Sequence, residues 1–195
     1  MDFDMNSSTC DVADEPGSSM PDEPDLCSLN QRFSSKRYRI ARCRFGLGVF
    51  AARDIALGEV ILPIEGPPID FAETTRRGAR ECMAIQIGPS LYIDTQPPAV
   101  WVNHSCEPNC GIRADRHLTA LRPIREGEEI CYDYSTTMEE GSFTMECRCG
   151  APTCRRVLRD FSTLSPALRR KYISQGIVMS FILRGRGLRL AMGGI

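Results

Sequence analysis

Apolar and polar positions change rhythm twice along the chain. Through residue 31 the apolar residues keep no period and Ser, Pro, Asp and Glu dominate, so residues 1–33 read as a flexible acidic tail. From Arg37 onward, short runs rich in Val, Ile, Phe and Leu are punctuated by Gly and Pro, a rhythm that predicts many short strands. Asp70 to Glu81, with alternating charge, fits a short helix; Met83 to Ile87 and Leu91 to Asp94 fit strands. After Cys154 the rhythm turns helical. Ser165 suits an N-cap, Pro166 the first helical position, and Gly176 a stop after Arg169, Arg170 and Lys171. The Gly- and Arg-rich stretch from Gly185 to Ile195 predicts a frayed end.

One internal echo stands out. Phe50-Ala-Ala-Arg-Asp-Ile-Ala-Leu-Gly-Glu-Val-Ile61 and Thr119-Ala-Leu-Arg-Pro-Ile-Arg-Glu-Gly-Glu-Glu-Ile130 match at Ala, Arg, Ile, Gly, Glu and Ile with a constant offset of 69. Each reads as strand, turn, strand, with Gly58 or Gly127 at the reversal. Two copies are too few for a solenoid, and they suggest two small sheets built on one plan.

Composition narrows the class. Over 195 residues, 42% hydrophobic and 25% charged usage is ordinary for a globular domain and excludes collagen-like, coiled-coil and wholly disordered chains. Every apolar run falls far short of the roughly 20 residues that span a bilayer, and the start has neither a basic region nor an apolar core, so the expected location is intracellular. The net charge of −1 hides an asymmetry. Residues 1–31 hold eight acids and no Lys or Arg, whereas nine Arg and Lys follow Cys154 against Asp160 alone. The acidic stretch is read as solubilising.

Ten cysteines in an intracellular chain of this length point to metal binding or burial rather than disulfides. Cys147-Arg-Cys149-Gly-Ala-Pro-Thr-Cys154 packs three thiols into eight residues, with Gly150 and Pro152 to bend the backbone. Tetrahedral zinc needs a fourth donor. Cys106, in Asn103-His-Ser-Cys-Glu-Pro-Asn-Cys110, is the first candidate and Cys110 the second. A ligand so remote in sequence would make the ion a clasp between tail and domain. Cys10, Cys27, Cys43, Cys82 and Cys131 show no ligand spacing.

Four elements then occur in a fixed order: Phe45-Gly-Leu-Gly-Val-Phe50, Asn103-His-Ser-Cys-Glu-Pro-Asn109, Glu128-Glu-Ile-Cys-Tyr-Asp-Tyr134 and Cys147-x-Cys149-x4-Cys154. Together they resemble the SET-domain protein lysine methyltransferases with a zinc-binding post-SET tail. The resemblance implies a mainly β fold with short helices: small sheets in a β-clip-like arrangement, a pseudoknot that threads the Asn103 segment, and a C-terminal helix. It divides the chain into the tail at 1–33, a SET domain at 34–137, a post-SET segment at 138–160, and a helix with a basic tail at 161–195.

The same resemblance assigns roles. Phe45, Gly46, Leu47 and Gly48 match the backbone that lies along S-adenosylmethionine, Asn103 and the backbone of His104 match the grip on its amino-acid end, and Leu158 matches an apolar contact to the adenine. Tyr134 matches the catalytic tyrosine. Tyr132, Tyr92 and Trp101 are expected as walls of the lysine channel, and Cys106, Cys147, Cys149 and Cys154 as the Zn2+ ligands. His104 is expected to be structural rather than a base. Tyr132 occupies the position at which a phenol is associated with early stopping, so mono- or dimethylation is expected over trimethylation.

The chemistry agrees. Methyl transfer from a sulfonium to an amine requires in-line approach and a neutral nucleophile. A lysine near pKa 10.4 is neutral in only about 0.04% of molecules at pH 7, a deficit of roughly 4.6 kcal/mol that a dry aromatic channel can offset.

Several positions depart from the family. Leu62-Pro-Ile-Glu-Gly-Pro-Pro68 lacks the usual tyrosine, Val100 stands where Arg is frequent, and Arg156 replaces a frequent Gly. The expected function is a protein-lysine N-methyltransferase acting on a histone tail or other basic peptide, as a monomer, without membrane or direct nucleic-acid binding, and nuclear if the source has a nucleus and cytoplasmic if bacterial. An inactive SET-like binding module and a small zinc-dependent nucleic-acid adaptor are the alternatives.

Overall fold

The computed structural model describes residues 25–78 and 83–185. The expectations for residues 1–24, for the end of the 70–81 helix and for 186–195 lie outside them.

Residues 25–33 depart from the flexible tail expected. They form helix α1 (Leu26–Phe33), capped by the Asp25 carboxylate, which accepts the Cys27 and Ser28 N–H groups. The helix docks through one polar side chain and two apolar ones. Asn30 Nδ2 donates to the Ile40 carbonyl and Asn30 Oδ1 accepts the Ile40 N–H, both at 2.8 Å, while Leu29 and Phe33 pack on the core.

Strands β1 (Tyr38–Cys43) and β2 (Gly46–Ala51) form a hairpin. Next come β3 (Val60–Pro63), β4 (Pro68–Asp70), helix α2 (Phe71–Arg76), β5 (Ala84–Gly88) and β6 (Leu91–Asp94). Asp70 caps α2 by accepting the Glu73 N–H at 2.7 Å. Strands β4, β6 and β5 make one antiparallel sheet; β3 pairs instead with β9 (His117–Ala120), which also pairs with β8 (Cys110–Arg113). Short β7 (Asn103–His104) lies parallel to β10 (Cys131–Tyr132), the crossing that a threaded Asn103 segment requires. Strands β11 (Thr144–Glu146) and β12 (Val157–Arg159) carry the cysteine tail, and α3 (Pro166–Ser174) follows, capped by Ser165, whose hydroxyl accepts the Leu168 N–H.

The 69-residue echo is realised differently from the two separate sheets expected. Its copies zip to each other about a local twofold axis at the Ile55–Ile124 bridge. Ile55 and Ile124 exchange both N–H···O bonds, at 2.8 and 3.0 Å. The remaining bonds come in symmetric partners: Ala51 N–H to Glu128 O (2.9 Å) with Ala120 N–H to Glu59 O (3.0 Å), and Gly58 N–H to Ala120 O with Gly127 N–H to Ala51 O (both 2.9 Å). Even the turn ion pairs repeat, as Arg53–Glu59 and Arg122–Glu128. Gly58 and Gly127 adopt φ of 80° and 83°, the left-handed region that a Cβ disfavours.

The apolar core runs from Ile40, Val49 and Ile61 through Ile112, Leu118 and Ile130 to Phe161, Tyr172 and Ile177. Phe161, Leu164, Tyr172, Ile177 and Ile182 are therefore part of the main core. Contact is close enough that a Cβ on Gly111 would stand 2.6 Å from Ile177 Cγ2.

Candidate active site and metal centre

Parallel pairing of β7 with β10 sets Asn103 beside Cys131 and His104 beside Tyr132. Two sites open from this seam. On one side, Asn103 Nδ2 lies 3.1 Å from the Leu47 carbonyl, 2.8 Å from Glu129 Oε1 and 3.3 Å from Cys43 Sγ. The glycine-bearing strand β2 and the Asn103 segment are thus joined by one amide. A Cβ on Gly48 would come within 2.8 Å of Glu129 Oε1, 3.0 Å of Phe50 Cε2 and 3.3 Å of Asn103 Nδ2, so the glycine lets these side chains lie close against the strand. Phe45 is 44% exposed at the mouth of this cradle.

On the other side, a cavity of about 350 Å3 is lined by Tyr92, Tyr132, Tyr134, Met138, Phe143 and Met145 among others. The Tyr132 and Tyr134 rings stand 4.9 Å apart at 46°. Tyr134 Oη donates to the Val102 carbonyl at 3.0 Å, which fixes its proton and turns its lone pairs elsewhere. Burial raises the Tyr132 phenol well above its ordinary pKa, so it remains a neutral donor. The lip of this cavity is held by Asp160, which accepts the Glu140 and Gly141 N–H groups at 2.9 Å.

The expected residues are not all placed alike. Tyr92 and Tyr132 line the cavity, whereas Trp101 does not; its ring meets Phe33 of α1 edge-on at 5.4 Å. Trp101 thus belongs to the surface on which α1 docks. Leu158 is 1% exposed and packs with Cys106 and Cys147, so in this arrangement it presents no open face to an adenine.

The thiols converge as the spacing required. Cys147 Sγ lies 3.8 Å from Cys106 Sγ and 3.6 Å from Cys154 Sγ. Candidate donor atoms of His104, Cys106, Cys147 and Cys149 all fall within 4.8 Å of one another. Cys110, the second candidate for the remote ligand, is instead buried in β8 with its thiol donating to the Cys131 carbonyl at 3.1 Å. His104 is a fifth possible donor, and its hydrogen bonds decide its role. Nδ1 accepts the Tyr134 N–H at 3.2 Å, and burial holds the imidazole pKa down at about 4, so the ring is neutral with its proton on Nε2. That proton faces Cys106 Sγ at 3.3 Å. In that tautomer His104 faces Cys106 as a donor, while the group within 4.8 Å takes in His104 and not Cys154, which reaches the cluster through Cys147 Sγ. The donor set fits a soft or borderline divalent ion such as zinc. Burial pushes the Cys106 thiol up to about 11, while the Arg156 N–H draws Cys154 down to about 7; a bound cation would displace the remaining protons.

Comparison with known proteins meets this geometry. A family model described as the SET domain matches residues 46–135, the span from the glycine cradle to just beyond Tyr134. Residues 46–135 are a SET domain. The chain is 33% identical over 129 residues to human histone-lysine N-methyltransferase 2B, covering 58% of this chain and 5% of that protein. Over 145 residues it is 33% identical to histone-lysine N-methyltransferase trr of Drosophila melanogaster (66% and 6%), and over 153 residues 33% identical to histone-lysine N-methyltransferase set-2 of Caenorhabditis elegans (69% and 10%). The chain thus spans a tenth or less of each of these relatives, and what is shared is the SET domain with its flanks.

Several groups of this site carry no motif signal. Glu129 lies inside a motif string that gives it no role, and the Met138, Phe143 and Met145 lip has no sequence period to announce it. Arg155 and Tyr172, which reach Asp133 beside β10, come from segments outside the SET match.

Proposed function

We propose that the protein is an S-adenosylmethionine-dependent protein-lysine N-methyltransferase whose acceptor is a histone tail or another basic peptide. One observation carries this reading: Asn103, bonded to the glycine-bearing strand, and Tyr132, in the wall of the phenol-lined cavity, come from a single two-residue strand pair. The cradle fits the cofactor's amino-acid end, since the Asn103 amide and Glu129 carboxylate lie close against the strand at Gly48. When bound, the cofactor supplies an electrophilic methyl group.

The chain's own residues do the rest. Tyr92, Tyr132 and Tyr134 exclude water from the lysine side chain, and this desolvation favours its neutral amine. Tyr134 Oη, its proton given to the Val102 carbonyl, presents lone pairs that align the amine and the polarised methyl. The Tyr132 hydroxyl occupies space that additional methyl groups would need, which favours mono- or dimethyl product. The four cysteines hold Zn2+ as a clasp between the domain and its tail. No described helix is long and apolar enough to cross a membrane. Action on histones implies residence in a nucleus where the source has one, and the chain is read as a monomer.

Calorimetric titration of the full chain with S-adenosylmethionine, followed by tritiated methyl transfer to core histones and to polybasic peptides, tests the proposal. Saturable cofactor binding with label on lysine supports it. Binding without transfer to any acceptor favours the inactive-module reading, and absence of binding removes both.

A further inference from the structure

Two side chains from outside the SET match converge on one buried carboxylate within it. Asp133 lies between Tyr132 and Tyr134, and its side chain is 0% exposed. Arg155 Nη1 donates to Oδ2 and Nη2 to Oδ1, each at 2.6 Å; Tyr172 Oη donates to Oδ2 at 2.9 Å, and the Ser135 N–H to Oδ1 at 3.1 Å. A carboxylate buried this completely persists only with such a set of donors. The backbone of Asp133 is fixed as well, since the Thr136 N–H (2.9 Å) and Thr136 Oγ1 (2.7 Å) both donate to its carbonyl. That closes the 3-10 turn Tyr134–Thr136. Tyr134 is therefore held between a clamped neighbour and the Val102 carbonyl.

We propose that Arg155 and Tyr172 are positioning residues for the paired phenols. By clamping Asp133 from the cysteine tail and from α3, they set where the Tyr134 hydroxyl stands, which makes the helix beyond the tail a working part of the site. The kinetic consequence rests on the methyltransferase reading, whereas the structural one does not. A planar guanidinium makes the two parallel bonds that an ammonium cannot, so lysine does not replace Arg155. Tyr172 is 1% exposed, and Tyr172→Phe removes its hydroxyl while leaving the ring's volume in place.

The test compares the full metal-loaded chain with Tyr172→Phe, Arg155→Lys and the double variant. Turnover at saturating cofactor and peptide is expected to fall roughly tenfold in Tyr172→Phe, with peptide KM and metal content unchanged. The double variant is expected to fall no further than Arg155→Lys, because both groups act through Asp133. Ring signals of 13C-labelled tyrosine, with Tyr134 assigned by its loss in Tyr134→Phe, should shift in Tyr172→Phe. A lowered melting temperature with unchanged turnover, multiplicative losses in the double variant, or an unmoved Tyr134 signal would each overturn the proposal. If the unaltered chain methylates nothing, the methyltransferase reading falls, and the Tyr134 signal still decides the positioning claim.

Discussion

Two seams run through the molecule, and they are built from different bonds. The twofold seam at Ile55 and Ile124 is held by repeated backbone bonds between apolar strands, each present in a symmetric partner. The β7–β10 seam has two residue pairs of backbone ladder, and side chains supply much of the rest: Asn103 to Leu47, Tyr134 to Val102, the Asp133 clamp and the thiol cluster. Redundancy makes the first tolerant of sequence change. The Asn103–Leu47 and Tyr134–Val102 bonds of the second each come from a single side chain, so under the proposed function their loss falls directly on the chemistry.

That contrast can be broken by experiment. Tyr134→Phe should reduce methyl transfer by roughly 10²- to 10³-fold, as removal of one aligned polar group does elsewhere, while the melting temperature changes little. Equal losses of both would mean that the phenol is structural. Cys147→Ser should abolish metal binding and destabilise the tail by more than about 4 kcal/mol, read by hydrogen exchange at β11 and β12, with the Ile55–Ile124 amides still protected. Exchange spread evenly over both seams would join what is here kept apart. Ile124→Ala, at a site 1% exposed, should cost about 2–4 kcal/mol in denaturant unfolding and leave kcat/KM of the folded fraction unchanged.

The smallest expected effect is a gain. Arg156, where the family often has glycine, sits at φ of 65°. Arg156→Gly should stabilise the tail by about 1 kcal/mol, measured as the shift in denaturant midpoint. A loss would show that the side chain makes contacts outweighing the strain.

The two seams also differ in how far they could be seen in the sequence. Strands β5 and β6, the α3 caps and the echo itself were legible because periodicity and turn residues are local signals. The way the copies pair was not, since two matching strand-turn-strand units can build separate sheets or one zipped pair with the same residues. The thiol cluster is legible as a spacing; Cys106 lies in it, and the Cys110 thiol bonds the Cys131 carbonyl instead. Helix α1 is obscured by the acidic, Ser- and Pro-rich stretch before it, although Leu26, Leu29 and Phe33 recur at helical spacing. The setting of Trp101 follows from that helix, since its ring meets Phe33. The Asp133 clamp could not be seen at all, because Arg155 and Tyr172 are 22 and 39 residues away and nothing local marks their meeting.

Mass spectrometry of a peptide carrying one lysine, taken to completion with S-adenosylmethionine, is the most direct test of two phenols facing a lysine channel. The expected product is one or two added methyl groups, absent when the lysine is replaced by arginine and formed roughly 10²- to 10³-fold more slowly with Tyr134→Phe. Unmodified peptide from a chain that binds the cofactor, or a product that is mainly trimethylated, would contradict the account.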